Sequence, residues 1–118
     1  MVLLEDLLET PPVDKKHTME YGYLMKKFLW SDEKNEILKR DRGVSFEKVV
    51  VQIANGEILD VWEHPNPDKY PNQRVFVVRI QDYAFLVPFS ETREEIFLMT
   101  IIPSPKATRD YLGGKRNE

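Results

Sequence analysis

Apolar positions cluster most densely between Gln73 and Pro103, where three apolar runs are separated by two short polar turns. Gln73–Ile80 and Tyr83–Phe89 flank Gln81-Asp82, and Glu95–Ile102 follows the turn at Ser90–Glu94. Each run is rich in β-branched and aromatic residues and has the length of a strand rather than a helix. Turns this short join successive strands into antiparallel pairs. In all three runs both alternating faces carry apolar side chains, so both faces of the sheet are expected to be covered. The preceding helices supply one cover. The other must come from the C-terminal segment, a ligand or a partner chain.

The pattern before this block changes period. Lys27–Trp30 reads as a short strand, and Ser31 then stands as an N-cap with Asp32 and Glu33 in the first helical turn. That helix becomes basic toward Arg40 and ends at Gly43. A second helix opens at Ser45, and Phe46, Val49, Val50, Ile53 and Ala54 form one buried stripe at helical spacing. Asn55-Gly56 stops it, and Ile58–Trp62 follows as an edge strand. Glu63–Asn72 reads as a loop punctuated by Pro65, Pro67 and Pro71, too long for a simple turn and therefore a candidate functional loop. Ser104 caps a last short helix with Pro105 at its first position, closed by Gly113-Gly114. The expectation is an α+β domain. Two N-terminal helices pack on an antiparallel sheet of about four to five strands, and a short C-terminal helix follows.

Composition narrows the picture only in part. The 118 residues, 42% of them hydrophobic, suffice for one modest core. Residues 25–114 are read as that domain, 115–118 as a tail, and 1–24 as a tail or a start assigned too early, with Met19 or Met25 as the alternative initiators. Within residues 1–24, Val2–Glu9 has the pattern of about two amphipathic turns before Pro11-Pro12. That segment carries the whole net charge of −3, so residues 25–118 are neutral. Such neutrality mildly favours a protein partner over strong nucleic-acid affinity. Cysteine is absent, which removes disulfides and thiolate metal sites. No apolar run reaches the roughly 20 residues of a membrane span, and the start lacks the basic character of a signal peptide. A cytoplasmic location without membrane contact is the expectation.

Most enzyme signatures are missing. Only His17 and His64 are present, and no zinc spacing, phosphate-cradling glycine loop or nucleophile–base set stands out. No cofactor is expected. Cations instead gather at strand and helix ends: Lys34, Arg42, Lys69, Arg74, Arg79, Lys106 and Arg109, with Trp30, Tyr70 and Tyr111 near them in sequence. Cations interleaved with aromatics can pair phosphates and stack bases of single-stranded RNA. The same groups can support metal-free cleavage, in which cations stabilise a dianionic phosphorane. Surface cations are more often simply solvated charge, and that reading comes first for most of them. Arg74, where the loop enters its strand, is the stronger site candidate, and Arg79, on the opposite face, reads as a rim or ion-pair residue. His64 reads either as a general acid–base group or as an incidental loop histidine. Trp30 reads first as helix packing, and Lys34 as part of a solvated helix face.

Three blocks carry a resemblance: Phe28-Leu29-Trp30-Ser31-Asp32-Glu33-Lys34-Asn35, Arg42-Gly43-Val44-Ser45-Phe46-Glu47, and Ile101-Ile102-Pro103-Ser104-Pro105-Lys106-Ala107-Thr108. In collinear order over roughly residues 25–112 they resemble the BrnT family. These are toxins of type II toxin–antitoxin modules, similar in fold to the RelE ribonucleases. The resemblance implies an RNA endonuclease that inhibits translation. It also implies a cognate antitoxin that neutralises it, and operator DNA bound only through that antitoxin. Trp30, Lys34, Arg74 and Lys106 fall on family positions, with Lys34 and Lys106 expected to hold phosphates and Arg74 to stabilise the transition state. Arg42, Lys69, Tyr70 and Arg79 complete the expected RNA contacts, and His64 the catalytic set.

Two departures stand out. Arg42 occupies the place of a family histidine, and Pro105 that of an arginine. They leave open a second reading, a catalytically degenerate subunit that binds antitoxin and helps repress its operon. The enzyme reading needs Arg74, Lys106 and Arg42 to converge on one cleft, whereas the binding reading needs only an apolar sheet face. An acidic or amphipathic antitoxin segment is expected on that face, with poor solubility of the domain alone.

Overall fold

The computed structural model describes residues 22–113. The amphipathic stretch Val2–Glu9 lies outside the described residues. Strand β1 (Lys27–Leu29) leads to helices α1 (Asp32–Arg42) and α2 (Phe46–Ala54). Strands β2 (Ile58–Glu63), β3 (Gln73–Ile80), β4 (Tyr83–Glu91), β5 (Glu95–Leu98) and β6 (Ile102–Pro103) follow, and helix α3 (Pro105–Tyr111) closes the order. The fold class is α+β.

The helices begin and end where their capping residues dictate. Ser31 Oγ accepts the Lys34 N–H at 3.1 Å, and Gly43 closes α1 at φ 70°, a left-handed conformation that suits a residue without Cβ. Ser45 Oγ accepts the Lys48 N–H at 3.1 Å to open α2. Buried Asn35 locks the two helices together, accepting the Phe46 N–H and donating to Glu47, each at 2.8 Å. Glu47 is held below the usual carboxylate range chiefly by that bond, against a smaller opposing effect of burial.

The sheet runs β1-β5-β4-β3-β2, with β6 also pairing β4. It differs from the sequence expectation in two ways. It is mixed, because β1 pairs β5 in parallel while the other pairs are antiparallel. The long excursion through two helices and three strands brings β5 back alongside β1 in the same direction. The run expected as one strand from Glu95 to Ile102 also breaks in two. Met99 donates to the Pro88 carbonyl at 2.9 Å, and the chain dips to bury Ile101 before β6 rejoins β4.

One sheet face carries the main core. Phe76, Val78, Val87, Phe89, Ile96 and Leu98 meet Phe28, Leu38, Phe46, Val49 and Ile53 from β1 and the two helices. Phe76 and Phe89 stack with centroids 3.9 Å apart, and Tyr23 meets Phe76 edge-on at 4.9 Å. On the opposite face Val77 and Ala84 receive Ala107 of α3, with Leu59, Leu86, Tyr111 and Leu112 around them. The C-terminal segment is therefore the second cover. Small residues at this contact let α3 lie close, and Thr108 Oγ1 takes the Ala84 N–H at 2.9 Å. The cover is partial. Trp62, Phe97 and Ile102 remain 36%, 40% and 38% exposed.

Candidate functional site

Arg74 stands at the start of β3, on the same face as Phe76 and the main core. Its guanidinium lies 5.5 Å from the Phe89 ring centre and 5.8 Å from that of Tyr23. Arg74 pairs with Phe89 across the ladder, so Glu91, two residues on, shares its face. Arg74 Nη2 donates to Glu91 Oε1 at 2.5 Å, and Lys26 Nζ donates to Glu91 Oε2 at 2.6 Å. Burial pushes the Glu91 carboxyl up, but bonds from Lys26 and Arg74 outweigh it and hold the group below its ordinary value. Burial works against the Arg74 charge, and the bond to Glu91 together with the attraction of Tyr23 and Glu91 outweighs it, so the guanidinium is held above its ordinary value.

Around this pair opens a cleft of about 590 Å³ lined by Lys26, Glu63, Pro71, Asn72, Arg74, Glu91, Thr92 and Arg93. Three cations face two carboxylates there, and one of those carboxylates, Glu91, is already occupied by two of the cations. The remaining positive charge suits a phosphodiester, and Arg74 offers planar donors for its oxygens. The loop between β2 and β3 is fastened to the cleft through its last residue, since Asn72 O accepts the Glu91 N–H at 2.9 Å. His64 and Tyr70 of that loop stand next in chain to the lining residues Glu63 and Pro71. Lys69 Nζ lies 5.5 Å over the Tyr70 ring. Arg74, His64, Lys69 and Tyr70 thus gather at one end of the sheet.

The other candidates lie elsewhere. Trp30 stacks on Phe46 with centroids 5.7 Å apart, partly buried against the main core. Lys34 is half-buried in the first turn of α1. Arg42 Nη1 donates to the Ile101 carbonyl at 2.5 Å, tying the end of α1 to the break between β5 and β6. Arg79 is flanked by Asp82 at 3.2 Å and Glu57 at 3.5 Å. Lys106 pairs with Asp110 on the exposed side of α3 at 3.0 Å. Neither Arg42 nor Lys106 lines the Arg74 cleft, so the convergence of Arg74, Lys106 and Arg42 expected of an enzyme is not met, and Lys26 and Arg93 stand beside Arg74 in their place. The start of α3 is bonded to Ala84, which pairs with Arg79, five positions along β3 from Arg74 and so roughly 17 Å away.

Four lining residues escaped the sequence reading: Lys26, Glu91, Thr92 and Arg93; Glu63, expected to open the loop, ends β2 instead. Glu91 had a signal. A carboxylate ending the apolar alternation Val87, Phe89, Glu91 needs a cation on the same face, and Arg74 is the one the hairpin register supplies. Among the described residues no group of three or more His, Asp or Glu side chains could hold a metal ion. No described helix is long and apolar enough to cross a membrane. No family model, curated protein or solved structure matches the chain.

Proposed function

We propose that the chain is the toxin of a type II toxin–antitoxin pair, a metal-independent RNA endonuclease that inhibits translation until a cognate antitoxin neutralises it. The observation carrying this reading is the cleft in which Arg74 is fixed by Glu91 beside Lys26 and Arg93. Glu91, with both oxygens engaged, orients Arg74. Glu63 also lines the cleft and makes no ion pair among the described residues, so its carboxylate is the group to take the 2′-hydroxyl proton. The 2′-oxygen then bonds phosphorus, and Arg74 and Arg93 stabilise the dianionic phosphorane. The P–O5′ bond breaks as the 5′-oxygen receives a proton from His64 or from the protonated carboxylate. The products are a 2′,3′-cyclic phosphate and a 5′-hydroxyl.

A specific observation favours a second reading. Arg42 and Lys106 do not line the Arg74 cleft, while Trp62, Phe97 and Ile102 are exposed apolar side chains on the face that α3 only partly covers. That arrangement suits a subunit that binds antitoxin and takes part in operon repression without cutting RNA. Inducible expression of the full chain and of Arg74→Ala in bacteria separates the two. Growth arrest with RNA cleavage, both lost in the variant, is the expected outcome. Normal growth at confirmed soluble expression of the wild type leaves the binding reading alone.

A further inference from the structure

The loop joining β2 to β3 carries an aromatic pair that neither apolar cluster uses. His64 and Tyr70 lie with ring centres 4.4 Å apart and 34° between their planes. Both are half-buried, and neither belongs to the main core nor to the smaller cluster beneath α3. The loop builds the pair with its own bonds. The Asn66 N–H donates to His64 Nδ1 at 2.9 Å, and the Asn66 carbonyl accepts the Tyr70 N–H at 3.0 Å. Asn66 Oδ1 accepts the Lys69 N–H at 3.3 Å. Pro65, Pro67 and Pro71 restrict the backbone on both sides of these bonds. The rings are thus ordered by local hydrogen bonding and proline stiffness rather than by burial, and part of their surface stays in water.

Their place in the chain gives that surface a use. Glu63 precedes His64 and Pro71 follows Tyr70, and both of those neighbours line the Arg74 cleft. The Cα atoms of His64 and Tyr70 are therefore each about 3.8 Å from the Cα of a residue that lines the cleft. The loop's end is anchored to the Glu91 backbone, and the Glu91 side chain holds Arg74, so the loop and the guanidinium are tied to the same residue. A phosphate site alone cannot distinguish duplex from single strand, because backbone contacts position a nucleic acid without reading its bases. A ring pair at the rim can. Only an unpaired base can leave its stack and lie on a protein aromatic.

We propose, on the basis of the RNA-cleaving cleft described above, that His64 and Tyr70 form a base-stacking platform that restricts the substrate to single-stranded RNA. One base rests on the pair while the adjoining phosphate meets Arg74 and Arg93. Every base has a π-face, so the platform selects strandedness and tolerates sequence. Lys69, over the Tyr70 ring, adds a cation beside the stacked base.

Fluorescence anisotropy with the full chain tests this. The probes are a labelled single-stranded 2′-O-methyl oligonucleotide, which cannot be cut, and a hairpin duplex of the same chemistry. The wild type is expected to prefer the single strand. Tyr70→Leu is expected to weaken single-strand binding by about tenfold or more, leaving duplex binding and the salt dependence unchanged. Tyr70→Phe, which keeps the ring, retains wild-type affinity. Equal wild-type affinity for both probes overturns the platform, as does a folded Tyr70→Leu protein that binds the single strand like wild type. Should Tyr70→Leu lower the melting temperature, Tyr70→Trp decides the matter: unchanged or tighter binding supports stacking, and weaker binding overturns it. A wild type that binds neither probe overturns the RNA reading itself, a result distinct from loss of strand preference.

Discussion

Strand β3 carries one arginine near each end, and the two sit in opposite circumstances. Arg74 lies on the core face, over two aromatic rings, with a carboxylate shared with Lys26 and a cleft in front of it. Arg79 lies on the other face beside Glu57 and exposed Asp82, and its backbone carbonyl accepts a bond from Gln52 at 2.8 Å. Exposed pairs of the second kind contribute little, because water screens both charges. The first kind holds a cation in a fixed orientation at the edge of a dry core. One residue type in one strand thus yields a partly buried, paired cation facing a cleft at one end and surface solvation at the other. The difference lies in what the neighbouring strands bring alongside.

The widest gap between the two ends is expected in catalysis. Arg74→Ala lowers RNA cleavage by about a hundredfold or more, the scale of losing one preorganised transition-state donor. Arg79→Ala leaves the rate within about twofold of wild type, and single-turnover cleavage assays on both variants check the contrast. Next in size is stability. Glu91→Ala leaves Arg74 and Lys26 partly buried without their carboxylate and costs about 1–2 kcal/mol, read from the urea midpoint.

The same carboxylate sets an acid dependence. The folded-state value of Glu91 lies below its ordinary 4.5, so its contribution is fully present above that pH and fades as pH falls through the lower folded value. Glu91→Gln is therefore expected to flatten the loss of stability in acid, as followed by thermal melts from pH 6 downward. At the Arg79 end, Gln81 takes φ 60° in the two-residue turn between β3 and β4, a left-handed conformation that disfavours a side chain. Gln81→Gly is expected to stabilise by about 0.5 kcal/mol, the relief of strain less the added entropy of glycine. Smallest of all, Arg79→Ala leaves the urea midpoint close to that of wild type, because water screens both of its ion pairs.

Legibility in the sequence followed the range of the interactions. Ser31, Gly43, Ser45, Ser104 and Pro105 act within four residues, and the helices begin or end at them as local capping requires. The Gln81-Asp82 turn fixed the β3–β4 register in the same local way. The parallel pairing of β1 with β5 was not legible, since nothing in Lys27–Leu29 encodes which distant strand it joins. At the site, Arg74 and its loop were readable from the loop's prolines and its entry into a strand. Lys26, Thr92 and Arg93 were not, because they meet Arg74 only after β4, the turn that follows it and the chain before β1 have been brought together. Arg42 and Lys106 stood out by their sequence blocks, yet their bonds go to the Ile101 carbonyl and to Asp110.

The most direct measurement incubates purified full-length protein with labelled RNA, free and ribosome-bound, in excess chelator, beside Arg74→Ala and Arg79→Ala. The account predicts fragments ending in 2′,3′-cyclic phosphate from the wild type and Arg79→Ala, and none from Arg74→Ala. Intact RNA with the wild type in both forms, or cleavage by Arg74→Ala at the wild-type rate, would contradict it.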